Sequence, residues 1–484
     1  MNFVIPQFGF AAAEIFLLTM ACVVLIADLF VTDPERRVTY YLSLLGIAGA
    51  AAFTAFSVGP ERAVAFTGAF VNDGMAYTLK LFAYLITTVV LIYSREYLRD
   101  RLLVKGEYYV LSLFALLGIM VMISSHHFLT IYLGLELLSL SLYAMVAFDR
   151  DSPVAAEAAM KYFVLGAIAS GTLLYGISIF YGATGTLDLG ALTSALAAEG
   201  PNARTNVALM LGLAFILVGV AFKLGAVPFH MWIPDVYHGA PTSVTLFIGT
   251  ASKIGAFALI ARILAEGMAE LQPTWRDMIA ILAALSLVVG NVVAIAQTNL
   301  KRMLAYSTIS HVGFILLGFL TGGPEGVQAA MYYMLAYVIM ACGAFGMIIL
   351  LGRQGFEADD IDDFRGLNRR SPWYALIMLM LMFSMAGVPP FVGFWAKLAV
   401  IQSALSAGFT SLALLAVLMS VVGAFYYLRV IKTMYFDDPE DESPICAGPG
   451  MHVVLSANGL AVLALGLFPA VLIDVCRRAM GLIS

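Results

Sequence analysis

Five lysines lie inside long apolar runs of this 484-residue chain, away from the ends that lead into charged loops: Lys80, Lys161, Lys223, Lys253 and Lys397. At the centre of a membrane helix each ammonium costs at least about 2.5 kcal/mol, so five of them call for a reason. Glu136 is the opposing charge. On a helix it shares a face with Tyr132, Ser139 and Tyr143 at i−4, i+3 and i+7, a polar stripe in an apolar segment. Burial and a nearby carboxylate act in opposite directions on a lysine's hold on its proton. A lysine moving toward or away from Glu136 would therefore take up or release H+ near neutral pH, with the two groups titrating as a pair. The bland alternative is an ion pair that locks two helices. His311, four residues after Ser307, is a candidate neutral relay, with His230 and His238 as weaker ones. Each could equally be a hydrogen-bonded core residue. Lys80 is expected to snorkel from a helix start toward water, and Lys161 fits either account. Lys223, Lys253 and Lys397 are too deep for that.

The elements that must hold these groups follow from composition. The chain is 62% hydrophobic and 12% charged, with 26 basic and 31 acidic residues and a net charge of −5. Soluble domains carry about 25% charged residues, so a soluble enzyme, a secreted scaffold and a disordered chain are all excluded. The acidic balance and the lack of a basic tract argue against a nucleic-acid partner. Cys22, Cys342, Cys446 and Cys476 show no ligand spacing, so no metal, zinc or iron–sulfur site is expected. No glycine-rich nucleotide fingerprint or haem pattern occurs. If electrons move in this system, they move in another chain.

Apolar runs long enough to span a bilayer fall near 8–30, 38–58, 76–94, 108–125, 128–148, 155–181, 207–230, 242–264, 278–297, 303–320, 327–351, 373–406, 412–435 and 453–471. The first contains Glu14 and lacks a basic leader and cleavage site, so it reads as a retained helix. The expected fold is all-α, a polytopic bundle of about fourteen transmembrane helices. Fifteen Lys and Arg fall in loops after odd-numbered helices or, for Arg429 and Lys432, at the helix end that leads into one. Six others are Arg62, Arg204, Arg262, Arg276, Arg477 and Arg478. The positive-inside rule then puts the odd loops in the cytoplasm and both termini outside, in the periplasm of a bacterial cell. The acidic stretches 357–363 and 437–442 become solvated cytoplasmic turns.

The chain also resembles itself. Ala158-Ala159-Met160 recurs as Ala329-Ala330-Met331, GAFALIARIL from Gly255 as GAFYYLRVI from Gly423, and Pro228-Phe229 as Pro390-Phe391. These offsets pair helices 4–8 with helices 9–13, two inverted five-helix repeats, because an odd-numbered unit re-enters from the opposite side. The implied segments are 1–106, 107–270, 271–436 and 437–484. Helices 7 and 12 carry matched interruptions, at Pro228 and at Pro389 and Pro390. Pro228 frees the carbonyl of Leu224 and Pro390 that of Ala386. Such breaks are expected to face a hydrated interior.

The runs FLTIYLGLELLSLSLY, AFKLGAVPFHMWIPDVYHGAPTSVT, TNLKRMLAYSTISHVG and GVPPFVGFWAKL resemble the antiporter-like membrane subunits of respiratory complex I, the proton-pumping NADH:quinone oxidoreductase. The resemblance covers helices 4 to 13. Lys at 397, the absence of a long lateral helix and Lys161 in AAMKYFVLGA are most similar to the N-type subunit. The resemblance implies proton translocation coupled to quinone reduction in other subunits, along Glu136, Lys161, Lys223, Lys253, His311 and Lys397. It implies a Glu136–Lys223 interaction, with separation of the two driving a proton toward Lys253 and Lys397. It also implies no cofactor in this chain, with FMN and iron–sulfur clusters in partner subunits. The expected partners are other complex I membrane subunits, including antiporter-like paralogues, and the lipid bilayer. A subunit of a multisubunit sodium/proton antiporter is the alternative; a free-standing solute carrier and a purely structural subunit rank lower.

Overall fold

The structure, a computed structural model, describes residues 7–56, 62–440, 445 and 447–483. Cys446 and the last residues of the second acidic stretch lie outside them.

Backbone groups in hydrocarbon must be paired within their own segment, so long apolar runs become helices. In chain order these are α1 (Ala12–Asp28), α2 (Arg37–Phe56), α3 (Gly74–Asp100), α4 (Gly106–Ser124), α5 (Phe128–Val146), α6 (Pro153–Thr184), α7 (Leu189–Glu199), α8 (Val207–Leu224), α9 (Trp232–Gly239), α10 (Thr242–Gly249) and α11 (Ala251–Ile260). They continue with α12 (Gln272–Ile295), α13 (Leu300–Gly318), α14 (Pro324–Leu351), α15 (Leu367–Arg370), α16 (Pro372–Ala386), α17 (Val392–Ser406), α18 (Thr410–Phe436), α19 (Pro449–Leu467) and α20 (Pro469–Ala479). Among the described residues, thirteen helices are long and apolar enough to cross a membrane. The short apolar pair α16 and α17 makes up the remaining predicted span. The chain is an all-α polytopic membrane protein.

α14 lies at the centre, with α10 and α11 also fully buried. The outer helices expose large apolar side chains such as Leu133, Ile168 and Val421, as a lipid-facing surface requires. Close crossings use glycine. A Cβ on Gly118 of α4 would stand 2.6 Å from the Leu138 nitrogen of α5, and one on Gly290 of α12 would stand 2.5 Å from the Ser310 nitrogen of α13. Small residues let helix backbones approach where lipid gives no hydrophobic drive.

Several features depart from the sequence reading. A hairpin of β1 (Ala63–Ala65) and β2 (Phe70–Asn72) packs over the α4–α5 turn, where the His126 amide bonds the Ala69 carbonyl at 3.2 Å. That contact separates the two helices cleanly between Ser124 and Phe128. α7 and α20 are short helices outside the predicted runs. Predicted helix 8 is also interrupted: Thr250 (φ −125°, ψ −82°) separates α10 from α11, and a π-helical turn, Ala261–Gly267, follows. No proline marks this break, and π turns are frequent at functional sites.

Candidate functional site

The two proline-containing interruptions are built alike. α8 ends at Leu224 with Gly225 in the left-handed region (φ 84°), and α16 ends at Ala386 with Gly387 (φ 87°). The amides of Gly225 and Ala226 return to the Ala221 carbonyl, both at 2.8 Å. Those of Gly387 and Val388 return to the Phe383 carbonyl, both at 3.0 Å. Glycine fits this helix-ending turn because it has no Cβ penalty at positive φ. The Val227–Pro228 and Pro389–Pro390 bonds are cis.

Each freed carbonyl is met by a lysine. Lys253 Nζ of α11 donates to the Leu224 carbonyl at 2.8 Å and lies 5.5 Å from the Trp232 ring centre. Lys397 Nζ of α17 donates to the Ala386 carbonyl and to Ser420 Oγ of α18, both at 2.8 Å, and lies 5.0 Å from the Phe314 ring. Both lysines are buried. The breaks are expected to face a hydrated interior; in the structure each freed carbonyl accepts from a lysine. Pro228, Pro389 and Pro390 are exposed on the outer surface. The polar side of each break points inward onto an ammonium, so a protein side chain meets each freed carbonyl.

Lys223 precedes Leu224 and points to α5, where its Nζ donates to Ser139 Oγ at 2.9 Å. Glu136, one turn earlier on α5, accepts from Ser170 Oγ of α6, and Ser170 also bonds the Tyr132 hydroxyl at 3.0 Å. Glu136 and Lys223 therefore make no ion-pair contact, and each meets a serine hydroxyl instead. A crevice of about 10 Å³ lined by Ser139, Tyr143, Ser170 and Lys223 lies beside them. That is room for about one water.

His311 of α13 is buried, its Nδ1 2.8 Å from the Tyr333 hydroxyl of α14 and its Nε2 3.1 Å from the Tyr427 hydroxyl of α18. A neutral imidazole donates from one nitrogen and accepts at the other, and a hydroxyl can do either, so this cage suits both tautomers. The Tyr333 ring stacks on Phe314 at 5.6 Å, which joins His311 to the Lys397 pocket.

The remaining sequence candidates lie elsewhere. Lys161 is 43% exposed and pairs with Asp235 of α9 at 2.7 Å and with Glu157 at 2.9 Å. Arg302 holds the other Asp235 oxygen at 3.0 Å. Lys80 does not snorkel: it is buried in a salt bridge with Glu14 of α1. The nearby carboxylate makes burial of its ammonium affordable where the sequence offered only the helix end. His230 and His238 are half-buried, and among the described residues neither ring bonds a lysine or Glu136.

Two charged groups escaped the sequence reading. Lys301, outside the predicted runs, is only 2% exposed and donates to the Ala240 carbonyl at 3.0 Å. Arg262, counted as a loop residue, is equally buried in the π turn. Its guanidinium grips Asp73 at 2.7 and 2.9 Å and Glu266 at 2.9 Å. Burial alone would raise the Asp73 carboxyl, but Arg262 and the Ala76 amide pull it down to about 2. Among the described residues, no group of three or more His, Cys, Asp or Glu could hold a metal ion.

A helical membrane protein with paired discontinuous helices, each closed by a buried lysine, is the class these features define. Residues 125–423 match the family described as NADH:quinone oxidoreductase/Mrp antiporter, TM. The chain is 61% identical over 481 residues to NADH-quinone oxidoreductase subunit N of Thioalkalivibrio sulfidiphilus, covering 99% of this chain and 100% of the relative. It is 58% identical to the subunit N of Thiobacillus denitrificans over 98% of both chains. A solved chain of respiratory complex I from Thermus thermophilus superposes with TM-score 0.81 at 35% identity, over 96% of this chain and 98% of that one. The chain belongs to the family of antiporter-like transmembrane subunits of NADH-quinone oxidoreductase, and within it to the subunit N branch.

Proposed function

We propose that the chain carries protons across the membrane as subunit N of NADH-quinone oxidoreductase, with Glu136, Lys223, Lys253, His311 and Lys397 as the path and Lys161 at its rim. The carrying observation is how the lysines sort by partner. Lys80 and Lys161 are paired with carboxylates, as structural buried or rim charges are. Lys223, Lys253 and Lys397 touch only neutral oxygens: a serine hydroxyl, a carbonyl, and a carbonyl plus a serine. A neutral oxygen accepts from an amine as well as from an ammonium, so these sites tolerate the lysine with or without its proton. An ion-pair partner would oppose the loss.

In this reading a shift that draws Glu136 from Lys223 loosens the lysine's proton. The proton passes by water to Lys253, whose amine rests on the Leu224 carbonyl next to Lys223, and then by water and His311 to Lys397. Redox chemistry stays in partner subunits that hold FMN and iron–sulfur clusters. Partners in the membrane include paralogous antiporter-like subunits. The setting is the bacterial inner membrane, with odd-numbered loops cytoplasmic, both termini periplasmic, and 107–270 and 271–436 as inverted copies. The matching glycine caps and lysine-held carbonyls support the duplication. The family description also covers Mrp antiporters, yet an axis of ammonium groups repels Na+, which makes the antiporter reading second.

The test is Lys223→Ala in the assembled complex, read as NADH:quinone turnover and proton uptake by inverted membrane vesicles. Both should fall about tenfold or more. Wild-type pumping by the assembled variant would refute the assignment.

A further inference from the structure

A cavity of about 390 Å³ opens on the face formed by the loops after odd-numbered helices, between the end of α3, the end of α9, the start of α13 and the segment 354–359. Leu102, Gln354 and Gly355 at its mouth are exposed. Lys301 lines it from a buried position, with Nζ 3.0 Å from the Ala240 carbonyl just past α9 and 3.8 Å from Glu357 Oε1. Glu357 is already engaged. Arg101 pairs with its Oε2 at 2.5 Å, while the Tyr97 hydroxyl, at 2.7 Å, and the Thr242 hydroxyl both donate to its Oε1. That carboxylate stays balanced whether or not Lys301 is charged. Lys301 is thus a buried amine that lines an open cavity, and the one carboxylate within ion-pair reach of it among the described residues is already held by Arg101.

Its helix leads onward. Residues 301, 308 and 311 lie on one face of α13, at i, i+7 and i+10. Thr308 bonds the Tyr337 hydroxyl at 2.8 Å, and His311 bonds Tyr333 and Tyr427. The rise from 301 to 308 is about 10 Å. Beside Thr308 lies the buried Tyr237, whose hydroxyl faces the Thr308 side chain. This face therefore runs from the cavity toward the His311 cage, with Leu304 in the intervening turn, without passing Lys223 or Lys253.

On the reading that the chain carries protons, we infer that Lys301 is a proton-loading group for the second half of the molecule. Its amine takes H+ from water in the cavity, forming an N–H bond. It gives that proton through water and the Thr308 region to a ring nitrogen of His311, and is then reloaded from the cavity. Because Lys301 also holds the end of α9, its charge is linked to the trailing half of the first broken helix.

The experiment compares Lys301→Arg and Lys301→Gln with Lys223→Ala in the assembled complex. Assembly is read on a native gel, and NADH turnover and proton uptake in inverted vesicles. Arginine keeps a donor for the Ala240 carbonyl but does not give up its proton. Glutamine keeps a donor and carries no proton to release. Both should assemble and pump about tenfold less per NADH oxidised. A purely structural anchor predicts that both work normally. Wild-type pumping by either assembled variant overturns the inference. If Lys223→Ala is defective at the same time, only the role of Lys301 falls; if Lys223→Ala also pumps normally, the underlying proton-carrying reading falls with it.

Discussion

Lys253 and Leu224 are joined across the first helix break by a 2.8 Å hydrogen bond from the ammonium to the carbonyl oxygen. One peptide bond separates that carbonyl from Lys223, so two buried lysines share a single backbone unit. Replacement by Lys253→Leu should leave the carbonyl unpaired and destabilise the chain by about 1–3 kcal/mol. Lys253→Gln, which still donates, should fold better yet lose coupled pumping. Thermal unfolding in detergent and vesicle proton uptake separate the two effects; equal stability of both variants would contradict the capping role.

Ser139 is the sole hydrogen-bond partner of Lys223 among the described residues, and Glu136 stands one turn away without contact. Ser139→Ala should therefore shift the lysine's proton hold by about 1 kcal/mol, a change of about fivefold in coupled turnover. Unchanged rates would mean that Ser139 has no part in placing Lys223.

His311 and Tyr427 act through one network, with Ser307 on the far side of the Tyr427 hydroxyl at 2.5 Å. Tyr427→Phe and His311→Gln should each reduce proton uptake, and the double variant should be little worse than His311→Gln alone. Strict additivity in a double-mutant cycle would show that the two work independently.

Lys161 offers a contrast. Its ammonium is partly exposed, and Asp235 retains Arg302 when Lys161 is removed. Lys161→Ala should keep most turnover, because exposed pairs contribute little. Asp235→Ala takes the carboxylate from Arg302 and one of two from Lys161, and should be more damaging. Turnover of the two variants side by side checks the order.

Asp73 gives a pH expectation. Its folded value, about 2, lies below the ordinary 3.8. The stabilisation is therefore complete above pH 4 and disappears as pH falls through 2. Near neutrality this group should leave the unfolding midpoint flat with pH, whereas Asp73→Asn should lower it by the equivalent of about 2 kcal/mol.

Much of this was legible in the sequence, for local reasons. Twenty-residue apolar runs dictate spanning helices, and Pro228 and Pro390 identify which carbonyls lose their partners. What closes those carbonyls was not legible. Lys253 lies 29 residues from Leu224, and only packing brings them together. The Lys80–Glu14 pair joins α3 to α1, and the break at Thr250 has no proline to announce it. Lys301 sits at a helix start, where sequence alone implies water, but the segment around Glu357 folds over it.

Sealing both interruptions with side chains also bears on the idle enzyme. A pore kept permanently wet would let H+ slip back down its gradient whenever substrate ran short. With Lys253 and Lys397 closing the two breaks, no bare backbone is left for H+ to follow between turnovers, so stored membrane voltage survives pauses in respiration.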